Sequence, residues 1–114
     1  MNALQGIKVL DLTRVLAGPY CSMMLADFGA DIIKIEPPGV GDDSRAFGPF
    51  IGKESAYFMS LNRNKRSITL NFKRAKEVDL FREMVKQADV VLENYRPGTM
   101  EKFGIGYAEL KKIN

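Results

Sequence analysis

Residues 6–36 constrain the fold more than any other part of the chain. GIKVLDLT (6–13) is a short apolar run rich in β-branched residues and reads as a buried strand. GPYCSMMLADFG (18–29) follows, with proline near its start and glycine at its end, the usual punctuation of a helix. DIIKIE (31–36) is a second apolar run that closes on a charge. Strand, helix and strand in about 30 residues make a βαβ unit. Such a unit crosses over right-handed and builds a parallel sheet.

The rest of the chain extends that sheet. EPPGVGDDSRAFGPFIGKE (36–54) has no periodicity and reads as a long loop, of a length that is often functional. SITLNF (67–72) reads as a third strand. AKEVDLFREMVKQA (75–88) is the clearest helix: Val78, Phe81, Val85 and Ala88 form an apolar stripe, widened by Leu80 and Met84. DVVLENY (89–95) reads as a fourth strand. PGTMEKFGIG and GYAELKKIN each start a further helix. The order predicts an α/β fold with a Rossmann-like, doubly wound, mainly parallel sheet. Four strands leave long open edges, so 1–114 reads as the front part of a larger domain.

Several chemistries drop out. The chain of 114 residues contains no histidine and one cysteine, which excludes histidine-dependent triads, intrachain disulfides and a cysteine-based zinc site. No metal site is expected. Asp42 and Asp43 are adjacent acids in a loop and read as a solvated turn. No apolar run approaches the ~20 residues of a membrane span, and the start lacks a signal peptide, so a cytoplasmic setting is expected. The first turn reads TRVLAGP rather than G-x-G-x-x-G, which argues against a dinucleotide site despite Glu36 at the second strand's end. Asp11, inside a buried strand, reads as a hydrogen-bonded structural acid, and Cys21 as a small core residue.

What remains is a basic rim. In open parallel sheets ligands bind beyond the strands' carboxyl ends. Arg14, Lys73, Arg74 and Arg96 all fall there, suiting an anion such as phosphate. Arg63, Lys65 and Arg66 precede the third strand and belong to its other end, where they support the fold, meet another subunit or face water. Nucleic acid is not the expected partner: Phe72 is the only aromatic among the cations of 60–74, and it reads as a core residue.

VLDLTRVLAGPYCSMMLADFGADIIKIEPPGVGDDSR, NRNKRSITLNFK and ADVVLENYRPGTMEKFGIGY, in that order, closely resemble the N-terminal part of the family III CoA-transferases, which include formyl-CoA and carnitine CoA-transferases and α-methylacyl-CoA racemases. The resemblance implies a CoA ester and a carboxylic acid as substrates, an interlocked homodimer, and catalysis through an aspartyl-CoA thioester. It places the nucleophilic aspartate beyond Asn114, so these residues alone are expected to be inactive. It also implies CoA contacts at Leu16, Ala17, Leu70, Asn71, Phe72, Lys73, Asn94, Tyr95, Arg96 and Lys102. Pro37 and Leu16 stand where formyl-CoA transferase has arginine and glutamine, so the resemblance does not carry the oxalate/formate pair. An acyl-CoA racemase is the alternative within the family; a nucleotide- or RNA-binding module is the alternative outside it.

Overall fold

A computed structural model describes residues 2–114. Its elements are β1 (Lys8–Asp11), α1 (Ala17–Asp27), β2 (Asp31–Glu36), β3 (Phe50–Ile51), β4 (Glu54–Ser55), α2 (Ala56–Leu61), β5 (Lys65–Thr69), α3 (Ala75–Val85), β6 (Val90–Leu92), α4 (Thr99–Lys102) and α5 (Tyr107–Ile113). Four strands pair in the order β5-β2-β1-β6, and every pairing is parallel. The expected α/β architecture is therefore present. β1 is central, and neighbouring strands run outward from it in opposite chain directions. The gap between β1 and β6 is the topological switch point, where such sheets place ligands.

Each face of the sheet is covered, which is why Val9 and Leu10 are both buried although adjacent in a strand. Val9 and Ile32 pack with Ala26 and Ala30 on the α1 side. Leu10, Leu12 and Ile35 pack with Val78, Phe81 and Val85 on the α3 side. Helix α1 buries Pro19, Ser22, Met23 and Ala26, spaced three or four apart. Its first turn lies so close to β1 that a Cβ on Gly18 would stand 2.2 Å from Thr13 Cβ. No side chain fits there, so glycine at this position fixes how tightly α1 docks.

Four sequence expectations need correction. Cys21 is exposed, because α1 turns Ser22 and Met23 inward instead. Leu80 is 50% exposed and lies outside the α3 stripe, which Met84 joins only at its margin. The third strand covers Lys65–Thr69 rather than 67–72. Lys65 is thus inside the ladder, opposite Ile32, while Leu70, Asn71 and Phe72 have left it. Finally, the long loop is not structureless. It contains the antiparallel β3–β4 pair and a single 3-10 turn, Asp43–Ala46, and leads into α2. Ser55 caps α2, its hydroxyl oxygen accepting from Phe58 N–H at 3.1 Å.

Candidate functional site: a cleft at the carboxyl rim

A cleft of about 250 Å³ opens at the carboxyl ends of the strands. Thr13 and Arg14 come to it from β1, Glu36 and Pro37 from β2, and Tyr95 from β6. Leu70, Asn71, Phe72 and Lys73, just past β5, form another wall, with Phe103 beside them. A larger open groove of about 700 Å³ runs elsewhere, along the outer edge of β6 and α5. It runs over strand edge and helix surface with a mixed apolar and charged lining, whereas the smaller cleft sits where parallel sheets bind ligands.

Behind the cleft lies a buried cluster of charge, of which Glu36 and Asp42 reach its lining. Asp11, Lys34, Glu36 and Lys65 lie on the α1 side of the sheet. Lys34 is only 1% exposed; its ammonium lies 2.8 Å from Asp42 and donates to Thr13 O at 2.9 Å. Asp42 also accepts from the N–H groups of Val15 at 3.0 Å and Ser44 at 2.9 Å. Burial pushes the Asp42 carboxyl up, but Lys34 and these donors outweigh it and hold it below the usual range. So Asp42 is a buried clamp and not the solvated turn expected from the sequence. It ties the β2 loop to the β1–α1 loop, where Val15 is held at φ 74°.

Lys65 does the same work beside it. Its ammonium stands 3.2 Å from Asp11 and donates to Pro19 O at 3.0 Å and Asn62 Oδ1 at 2.9 Å. Burial lowers its pKa, opposed by Asp11 and aided by the charge on Lys34. Asp11 also accepts from Thr13 N–H and from the hydroxyls of Thr13 and Ser22. It is the structural acid the sequence suggested. Arg63 and Arg66 pair with Asp27 and Asp31 at the surface, each at 2.7 Å. All three cations ahead of Ser67 are therefore engaged within the fold.

Glu36 closes the third side. Arg45 grips it with two nitrogens, at 2.7 and 2.9 Å, while stacking on Phe58 at 3.8 Å. Asp42 N–H donates to it at 2.8 Å, and Ser67 Oγ also donates. Burial opposes ionisation, yet these partners bring its pKa to about 2. That is below the ordinary value of 4.5, so the folded state gains stability above pH ~4.5 and loses it as pH falls towards 2. The gain is about 3 kcal/mol. Urea titrations of the native chain and Glu36→Gln are expected to differ most near pH 7 and to converge only as the pH falls to about 2. A constant gap would refute the assignment.

Of the ten residues expected to contact CoA, five line this cleft: Leu70, Asn71, Phe72, Lys73 and Tyr95. Leu70 is buried, and Phe72 stacks edge-on to Phe81 with centroids 5.3 Å apart, as the core reading required. Asn71 accepts from Lys73 N–H at 3.0 Å, which leaves the Lys73 side chain exposed at the rim. The other five lie apart from the cleft. Leu16, 51% exposed, and Ala17 begin α1. Asn94 bridges β6 to Arg14, Arg96 borders the larger groove, and Lys102 is exposed on α4. Sequence reasoning missed Lys34 and Asp42. Their signal was a charge inside the apolar run DIIKIE, which requires a buried partner nearby.

Comparison with known proteins identifies the family. The family model for CoA-transferase family III matches residues 4–114. Human succinyl-CoA:glutarate CoA-transferase is 51% identical over 99% of this chain, and acetyl-CoA:oxalate CoA-transferase from Acetobacter aceti is 53% identical over 96% of it. The chain spans 26% and 28% of those two proteins. A CaiB/BaiF family protein from Brucella suis superposes with a TM-score of 0.92 at 45% identity, over all of this chain and 32% of its own. By sequence and by fold, the chain belongs to CoA-transferase family III.

Proposed function

We propose that these residues form part of the coenzyme A site of an enzyme that moves CoA between carboxylic acids. One observation carries the reading: a cleft at the switch-point rim whose exposed lysine, Lys73, has no acidic partner among the described residues. Glu36 and Asp42, the acids of the cleft, are both neutralised by cations behind them. The rim therefore offers net positive charge to the phosphates of CoA. Leu16, Ala17, Asn94, Arg96 and Lys102 are the further contacts of the same proposal, for parts of CoA outside the cleft.

In the reaction, an aspartate carboxylate attacks the acyl-CoA carbonyl and the CoA thiolate leaves, giving a mixed anhydride. The thiolate then attacks the aspartyl carbonyl, releases the donor acid and forms an aspartyl-CoA thioester. An acceptor carboxylate runs the same steps in reverse. The proposal takes this aspartate from beyond Asn114, leaving the present residues to bind and orient CoA. A cytoplasmic, interlocked homodimer completes the reading, and exposed Phe50 and Ile51 are surface of the kind a subunit contact covers. No helix among the described residues is long and apolar enough to cross a membrane.

Lys73→Ala tests the site. A charged hydrogen bond to phosphate contributes roughly 1.5–3 kcal/mol, about 10- to 150-fold in affinity. Calorimetric titration with CoA is expected to show a loss in that range, larger at low salt. Arg66→Ala, at the opposite end of β5, is expected to change little. Equal losses in both variants, or none in Lys73→Ala, would overturn the proposal.

A further inference from the structure

Arg14, which the sequence placed on the basic rim but the family resemblance did not name as a contact, has the attributes of a ligand contact. It is the first exposed residue after β1, at the switch point itself, and it lines the cleft. Its backbone is locked on both sides by one side chain. Arg14 N–H donates to Asn94 Oδ1 at 3.1 Å, and Asn94 Nδ2 donates to Arg14 O at 2.8 Å. The carbonyl before it, Thr13 O, is held by Lys34, and the N–H after it, on Val15, by Asp42.

The side chain is held less firmly, and in a telling way. The guanidinium sits 5.6 Å from the Tyr95 ring centroid, which orients its plane. Its one ion-pair partner among the described residues, Asp43, is 3.6 Å away and itself exposed. That is a loose surface pair of little energetic consequence. Arg45 contrasts with it: two of its three guanidinium nitrogens are spent on Glu36. A planar fork with free N–H groups, oriented by an aromatic ring on a rigid backbone, suits an oxyanion taken side-on.

We propose that Arg14 binds an oxyanion of the substrate at the switch-point end of the cleft. It takes either the distal carboxylate of a dicarboxylic acyl group or a phosphate of CoA. Lys73 would hold a second anion at the β5 end, two strand spacings or roughly 10 Å away. A ligand negatively charged at two separated points is thereby selected. This inference rests on the CoA reading above and names a substrate feature for it.

The test uses calorimetric titration of the native chain, Arg14→Gln and Arg14→Lys with succinyl-CoA and with butyryl-CoA, which lacks the distal carboxylate. Arg14→Gln is expected to weaken succinyl-CoA at least tenfold, with Arg14→Lys recovering part of the loss. Butyryl-CoA unaffected assigns Arg14 to the carboxylate; butyryl-CoA weakened equally assigns it to a phosphate. Asp43→Asn, which removes only the surface partner, is expected to leave both affinities intact. If the native chain binds both esters and Arg14→Gln binds them equally well, the inference fails while the CoA reading stands. If the native chain binds neither ester, both fail together.

Discussion

Lys34→Met is expected to cost about 3–5 kcal/mol, among the largest losses any single substitution in this chain can cause. Methionine fills much the same volume, so packing is nearly conserved. What changes is electrostatic: Asp42 is left charged and buried with its nearest cation gone. The carboxylate would have to take up a proton or drag the β2 loop into water. Thr13 O would lose its donor as well. Removing both charges, as Lys34→Met with Asp42→Leu, is expected to restore a substantial part of the stability, since two apolar side chains need no partners. Urea unfolding of the three proteins checks this. If the double variant were as unstable as the single one, the loss would lie in packing. Restored stability would not bring back the β1–α1 loop, because Val15 would still lack its acceptor.

Phe81→Ala is expected to cost about 3–5 kcal/mol for a different reason. Phe81 is completely buried and packs between the sheet and the cleft wall. Phe72 leans on its face, and Phe103 leans on Phe72 with centroids 5.8 Å apart. Both of those rings line the cleft. Truncation therefore opens a cavity directly behind the candidate binding wall. For a domain whose whole stability is roughly 5–15 kcal/mol, that loss brings the chain near its unfolding threshold. Phe81→Leu, which keeps most of the volume, is expected to lose less than half as much. Thermal unfolding followed by circular dichroism measures both. Similar midpoints for the alanine and native chains would mean that α3 is not seated on the sheet as described.

These two sites mark what the sequence could and could not disclose. Phe81 was legible because a helix repeats every 3.6 residues: Val78, Phe81 and Val85 announce their shared face in the spacing alone. The parallel order of the strands was legible for a similar reason, through the helical stretches between them. Lys34 was not, because periodicity records which side a residue faces but not what waits there. A lysine in register with buried isoleucines is tolerable only if an acid arrives from another segment. Asp42 does so from a loop whose path the sequence left open. The same blindness moved β5. Read by composition, Lys65 looked like a flanking cation; paired with Asp11 it belongs inside the ladder. In the cleft, the residues following β5 and Tyr95 could be placed from the rim rule and the resemblance together. Arg14 was visible as a rim cation but not as a site residue, since its anchoring depends on Asn94, 80 positions away.

That separation along the chain carries a cost in time. β1 pairs on one flank with β2, soon after it in the chain, and on the other with β6. Lys8 N–H and its acceptor Asp89 are 81 residues apart. A ribosome adds about 5–20 residues each second, so the second flank of β1 waits roughly 4–16 s for its partner to be made. During that interval the nascent βαβ unit presents one unpaired flank of β1 to its surroundings. Lys8 at one end of that strand and Asp11 at the other are charges of the kind that make an open edge a poor template for stray pairing. Asp11 would thus serve the chain twice, first as a guard on an open edge and later as the buried partner of Lys65.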